Sequence, residues 1–222
     1  MSTGVFFQSL PSDKQIRRRI HPTFSQEVRE YAFYFLKVFV SVALIYLFIR
    51  TSVFDVIGIS GKSMYPTYDN KDAIYIDQLT PKFSDYRRGD VVVLLSPAHL
   101  EGQRDLYIKR VIGLPGDIVI LEDGKVFIEN DNYPNGVQLD ENYYLNPTVP
   151  TYKKLAISSD KFVEEKLQDN EYYVMGDNRT ASSDSRYFGK VNKSDILGKE
   201  FYRIIPPSKA GFFELPSYNI PN

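Results

Sequence analysis

The chain reads as a mainly β protein, an antiparallel β-sheet domain preceded by one N-terminal transmembrane α-helix, and three observations carry that reading. Tyr31 to Ile49 holds nineteen residues with one charge, Lys37. Beyond it, apolar runs of four to eight residues rich in Val, Ile, Tyr and Phe alternate with Gly, Pro and Asn/Asp punctuation, which is the signal of strands and turns. One such punctuation, Asp123-Gly124, is a two-residue hairpin signal between two of those runs.

The helix comes first. At about 1.5 Å per residue a nineteen-residue run covers roughly the 30 Å hydrocarbon core of a bilayer. Aromatic and branched residues occupy all of its faces, unlike the single stripe of a core helix, and Arg50 closes it. Some thirty residues precede the run and no small-x-small cleavage site follows, so it reads as a retained anchor and not a removable signal. Lys14, Arg17, Arg18, Arg19 and Arg29 lie before it, against only Arg50 and Lys62 in the fifteen residues after it. The positive-inside rule then leaves residues 1–30 in the cytoplasm and exports everything from residue 51 of a single-pass membrane protein, with lipid as a partner.

The strands follow in order over 53–59, 73–77, 90–95, 105–112, 117–121, 125–129, 171–175 and 200–205, making a β-rich domain over 51–206. Residues 130–170 are polar, contain Asn135-Gly136 and two prolines, and read as a loop-rich insertion with a short helical possibility at Lys161–Leu167. Residues 207–222 show no periodicity and read as a partly loose tail.

Composition narrows the function. With 222 residues, 43% hydrophobic and 25% charged, the chain can bury a core. A net charge of −1, from 27 Lys+Arg against 28 Asp+Glu, offers no field for nucleic-acid phosphates, so no nucleic-acid partner is expected. The absence of cysteine removes disulfides, thiolate nucleophiles and thiolate-held metals, and two distant histidines leave little for metal ligation, so no metal and no cofactor are expected. Chemistry here falls to Ser, Thr, Lys, Asp or Glu.

Three segments are unusual for plain strands and turns: Gly61-Lys62-Ser63-Met64-Tyr65-Pro66-Thr67, Tyr107-Ile108-Lys109-Arg110-Val111-Ile112-Gly113-Leu114-Pro115-Gly116-Asp117, and Gly176-Asp177-Asn178-Arg179-Thr180-Ala181-Ser182-Ser183-Asp184-Ser185-Arg186. Each has an ordinary reading: Ser63 as a turn residue, Lys109 as an edge-strand charge, the last segment as a solvated loop. Against this, Lys109 is flanked by Leu106, Tyr107, Ile108, Val111 and Ile112, so its strand should be buried and its pKa depressed. Alternation puts Lys109 on the face of Tyr107 and Val111 and Arg110 on the other, so the two bases need different partners. Asp177 and Asp184 are both open to Arg110, and a serine hydroxyl to Lys109.

In this order the three segments resemble the boxes of type I (leader) signal peptidases, membrane-anchored serine proteases with a Ser–Lys dyad. The resemblance continues through Arg88-Gly89-Asp90-Val91-Val92, Asp123-Gly124-Lys125-Val126 and Ile196-Leu197-Gly198-Lys199, covering about Gly58 to Pro206. It implies Ser63 as nucleophile, Lys109 as general base, Ser182 as the hydroxyl orienting the lysine, and supporting ion pairs Arg110–Asp177 and Asp184–Arg186. Ile59, Met64 and Ile108 would contact substrate, and the Ser63 amide N–H would be one oxyanion donor. Gly61 stands where some relatives supply a second donor, and Tyr68 replaces a commoner aliphatic as a packing variation. The implied activity is removal of signal peptides from exported preproteins after a small-x-small motif. A self-cleaving Ser–Lys protease lacks a reason for the anchor. An inactive membrane-anchored binding protein lacks a reason for intact Ser63, Lys109 and Ser182. A Ser–His–Asp hydrolase has only His99 on the exported side.

Overall fold

The computed structural model describes residues 24–52, 54–96, 105–145, 161–164 and 166–220. His21, His99 and the basic residues from Lys14 to Arg19 lie outside those segments. The chain divides into two units, Met1–Ile49 and Arg50–Asn222. A helix, α1 (Phe24–Ser52), accounts for the described residues of the first, ends three residues beyond it, and starts seven residues before the apolar run. Good helix formers extend it there, because Gln26, Glu27, Arg29 and Glu30 need no apolar partner to hold a helical backbone. Its side chains from Phe24 to Leu47 are all exposed, and it is long and apolar enough to cross a membrane. That length and composition are those of a membrane-spanning helix.

The second unit is antiparallel throughout. Strands β1 (Phe54–Gly58), β2 (Ala73–Asp77), β3 (Val91–Leu95), β4 (Leu106–Gly113), β9 (Glu171–Met175), β10 (Val191–Asn192), β11 (Ile196–Ile205) and β12 (Gly211–Phe212) form one sheet in the order β1-β2-β11-β3-β4-β9-β10, with β12 on β11. A second sheet orders β7 (Tyr133–Gln138), β6 (Lys125–Asn130), β5 (Ile118–Glu122) and β8 (Lys161–Val163). β5 and β6 close as the expected hairpin, with Glu122 opposite Lys125 and both Asp123 (φ 51°) and Gly124 (φ 74°) left-handed, as a type I′ turn requires. β3 is apolar at every position because it is central and buried on both faces.

Two expectations for the insertion are corrected. Asn135-Gly136 is no loop: it lies inside β7, whose edge position tolerates Pro134 and a left-handed Gly136. The described residues of Lys161–Leu167, 161–164 and 166–167, are not helical either, for Phe162 pairs with Leu121 at the edge of the second sheet and packs on its core, which outweighs local propensity. The tail is also held down. Residues 207–209 make a helical turn, β12 pairs with β11, and Ile220 enters the core of the second sheet beside Leu139 and Ile128.

Candidate active site

The loop between β1 and β2 carries Ser63. It is closed at its neck by Ile59 N–H to Asp72 O (2.8 Å) and Lys71 N–H to Ile59 O (2.9 Å). Gly61 sits at φ +92°, a conformation open to glycine at little cost, and its N–H donates to Asn70 Oδ1 (3.1 Å). Tyr65 N–H returns to Lys62 O and Tyr68 N–H to Met64 O, coiling the chain so that Ser63 lies half-buried while Met64 turns inward.

β4 brings Lys109 to it. Lys109 is 3% exposed, and its Nζ lies 3.1 Å from Ser63 Oγ and 2.9 Å from the Ile108 carbonyl, with the Tyr107 ring 5.0 Å away. Burial penalises the ammonium and lowers the pKa to about 8; Asp184 works against this and Arg186 with it. The next residue faces the other way. Arg110 Nε and Nη2 clasp Asp177 at 2.8 and 2.6 Å, Nη1 reaches Gly89 O at 2.9 Å, and the Tyr144 ring covers the guanidinium at 4.1 Å. The alternative left open between Asp177 and Asp184 is thereby resolved. Asp184 instead takes Arg186 (2.7 and 2.6 Å), caps the one-turn helix Ser185–Phe188, and accepts the Gly176 N–H at 2.9 Å.

The turn after β9 packs directly on the serine loop. Asn178 N–H donates to Ser63 O (2.9 Å), Asn178 Nδ2 to Lys62 O (3.0 Å), and Thr67 Oγ1 to Asp177 Oδ2 (2.5 Å). At Gly176 a Cβ would collide with both Ser182 and the Ser63 carbonyl, so glycine alone allows this approach. Ser182 is buried there, but the hydrogen bond expected from it to Lys109 is not formed: its Oγ has no partner among the described residues, while the amine contacts Ser63 Oγ and Ile108 O.

These residues open on a cleft of about 570 Å3 lined by Ile59, Gly61, Ser63, Ile108, Lys109 and Ser183 among others. Ile59 and Ile108 are both among its lining residues. Met64 is not: it is 1% exposed and packs beneath the cleft with Ile74, Ile76 and Val91, a core residue and not part of the lining. Tyr68 is more than a packing variation, since its hydroxyl donates to buried Glu200 while Arg203 stacks on its ring at 4.1 Å. Desolvation raises the Glu200 carboxyl to about 7.

Several supports were invisible in the sequence. Glu141, inside the insertion, pairs with Arg179 (2.5 and 2.8 Å) and accepts from Tyr144 Oη (2.8 Å), and Tyr218 Oη reaches Tyr144 Oη at 3.0 Å. An Arg88–Asp117 pair at 2.9 Å ties the start of β3 to the end of β4. The Arg88-Gly89-Asp90 and Pro115-Gly116-Asp117 matches hinted at these residues, though nothing local paired them. Among the described residues no His, Cys, Asp or Glu cluster fits a metal.

The cleft thus holds a buried lysine amine within hydrogen-bond distance of a serine hydroxyl. A family model of the signal peptidases, peptidase S26, matches residues 32–205, and the chain belongs to that family. Probable signal peptidase I-2 of Synechocystis sp. is 35% identical over 177 residues, covering 79% of this chain and 74% of that protein. Signal peptidase I S of Bacillus subtilis is 34% identical over 177 residues, covering 77% and 87%. A crystal structure of a signal peptidase I from Enterococcus faecalis is 29% identical, covering 52% of this chain and 97% of that one at a TM-score of 0.39.

Proposed function

We propose that this peptidase is a signal peptidase I that removes signal peptides from exported preproteins after a small-x-small motif, using Ser63 as nucleophile and neutral Lys109 as base. The observation that carries the reading is the 3.1 Å separation of Ser63 Oγ and Lys109 Nζ inside the cleft. Ser63 Oγ bonds to the scissile carbonyl carbon and its proton passes to the Lys109 lone pair. The ammonium then protonates the leaving amine as the C–N bond breaks. Water, deprotonated by the regenerated amine, releases the acyl group from Ser63. Lys109 suits both directions, because a base with a pKa near 8 is neutral in roughly one molecule in ten at pH 7 and returns its proton readily.

Ile59 and Ile108 narrow the cleft with branched side chains beside the nucleophile, which supports small residues at the first and third positions before the cut. In this proposal α1 is the anchor, residues 1–30 are cytoplasmic and the β domain is extracytoplasmic, as the basic bias ahead of the span requires. The test uses detergent-solubilised protein and a synthetic precursor bearing a hydrophobic signal that ends in Ala-x-Ala. Wild type should cut after the second alanine, while Ser63→Ala, or leucine in place of that alanine, should abolish cutting. Cleavage by Ser63→Ala would refute the nucleophile, and equal cutting of the leucine precursor would refute the pocket.

A further inference from the structure

The amide N–H of Ser63 is the group that would meet the developing oxyanion, and it needs something to aim it. That N–H belongs to the peptide unit joining Lys62 to Ser63, which is trans. In a planar trans peptide the N–H and C=O point in opposite directions, so whatever fixes the Lys62 carbonyl also fixes the Ser63 N–H. Two donors hold that carbonyl: Tyr65 N–H, at 3.2 Å from within the turn, and Asn178 Nδ2, at 3.0 Å from the opposite segment. Ser63 N–H itself finds no acceptor among the described residues.

The Asn178 side chain is set for this contact. Its Oδ1 accepts from Thr180 Oγ1 at 3.3 Å, which leaves Nδ2 as the end that faces Lys62. Its backbone N–H meanwhile donates to Ser63 O at 2.9 Å, so one residue grips the carbonyls on both sides of the nucleophile. Lys62 and Ser63 line the cleft and Asn178 does not. The Lys62 carbonyl is therefore drawn out of the cleft, and the Ser63 N–H opposite it faces in.

We propose that Asn178 is a positioning residue that aims the Ser63 amide at the oxyanion through its hydrogen bond to the Lys62 carbonyl. This rests on the acyl-transfer reading above. Losing an oxyanion donor outright costs about 10²–10³-fold in rate, and a donor misaimed by a freed peptide plane forfeits part of that. Asn178→Asp keeps the shape while setting a carboxylate against the carbonyl oxygen, and Asn178→Ala removes the contact; both retain the backbone bond to Ser63.

The experiment compares full-length wild type, N178D, N178A and S63A on one precursor. Each enzyme is also titrated with a peptide aldehyde ending at the cut and with the corresponding peptide alcohol. Ser63 Oγ adds to the aldehyde carbon to give a hemiacetal, its proton ending on the former carbonyl oxygen, whereas the alcohol binds without forming a bond. Both Asn178 variants should lose about tenfold or more in kcat with KM within about threefold. Aldehyde affinity should fall in step with kcat, alcohol affinity should stay at the wild-type value, and the acid limb of the pH profile should not move. Rates within twofold of wild type for both variants would overturn the proposal, as would equal losses of aldehyde and alcohol affinity. Cutting by wild type but not S63A keeps the acyl-transfer reading intact whatever Asn178 does; a wild-type enzyme that cuts nothing removes both.

Discussion

Lys109 and Arg110 are consecutive on β4 and both nearly inaccessible, at 3% and 1% exposure, yet their pKa values move in opposite directions. Arg110 faces a carboxylate that meets it with two hydrogen bonds, a backbone carbonyl and an aromatic ring. Burial by itself would lower its pKa, but the charge and hydrogen bonds of Asp177 more than offset that and raise it further. Lys109 faces a hydroxyl and a carbonyl, neither charged, and among the described residues no carboxylate lies within ion-pair distance. Equal burial with unequal pairing turns one base into a permanent cation that fastens β4 to the segment after β9, and leaves its neighbour able to shed a proton. The strand's alternation separates the two tasks by a single residue.

The sharpest way to break this contrast is to make both faces alike. Lys109→Arg installs a base that cannot become neutral at working pH, so activity should fall on the order of 10³-fold or more while circular dichroism stays native. A folded Lys109→Arg enzyme with near-wild-type rates would remove Lys109 from the chemistry. On the other face, Asp177→Ala strands the Arg110 guanidinium in the core and frees Thr67 Oγ1. That should cost about 3–5 kcal/mol in urea unfolding, and a loss under about 1 kcal/mol would mean the pair is dispensable.

The pH profile tests the same difference more gently. The base works when neutral, and its neutral fraction rises with pH through the folded pKa of about 8. From pH 8 downward kcat/KM should therefore decline, approaching about tenfold per unit, with a plateau above. A profile flat from pH 6 to 8, or one still climbing toward 10, would contradict a desolvated Lys109. Ser182→Ala should have the smallest effect. Its Oγ has no partner beside the dyad, so kcat should drop by less than about tenfold and thermal stability should hold. A hundredfold loss would mean that the hydroxyl joins the amine during turnover.

Much of this was legible in the sequence for physical reasons. Short apolar runs bounded by turn residues mark the strands, and Asp123-Gly124 marks a hairpin because few other dipeptides accept two left-handed residues in succession. Strand alternation at Lys109 and Arg110 already required different partners for them, but alternation alone left Asp177 and Asp184 equal, and it was the family's motif that pointed to the Arg110–Asp177 pair found here. The failures share a cause. Phe162 and Val163 lie on an edge strand whose identity depends on Leu121 and Ile120, far away in sequence, and the motif that implies a substrate contact for Met64 does not reveal that the coil of the turn sends this side chain into the core. The clasp of Asn178 on Lys62 spans more than a hundred residues and leaves no periodic trace.

The segment around Tyr218 bears on how this domain comes into being. A Cβ on Gly89 would come within 2.8 Å of the Tyr218 ring and 3.0 Å of Pro216, and Tyr218 braces the tyrosine that covers Arg110. The middle of the domain is thus roofed by residues translated long after it. A nascent chain can pair β3 with β4 early, but the ring over Arg110 gains its brace from Tyr218 only after residues 216–220 have been made. Maturation of the site is in this sense timed by delivery of the far end of the domain, and a chain stalled short of Pro216 would carry its dyad in an unsealed frame.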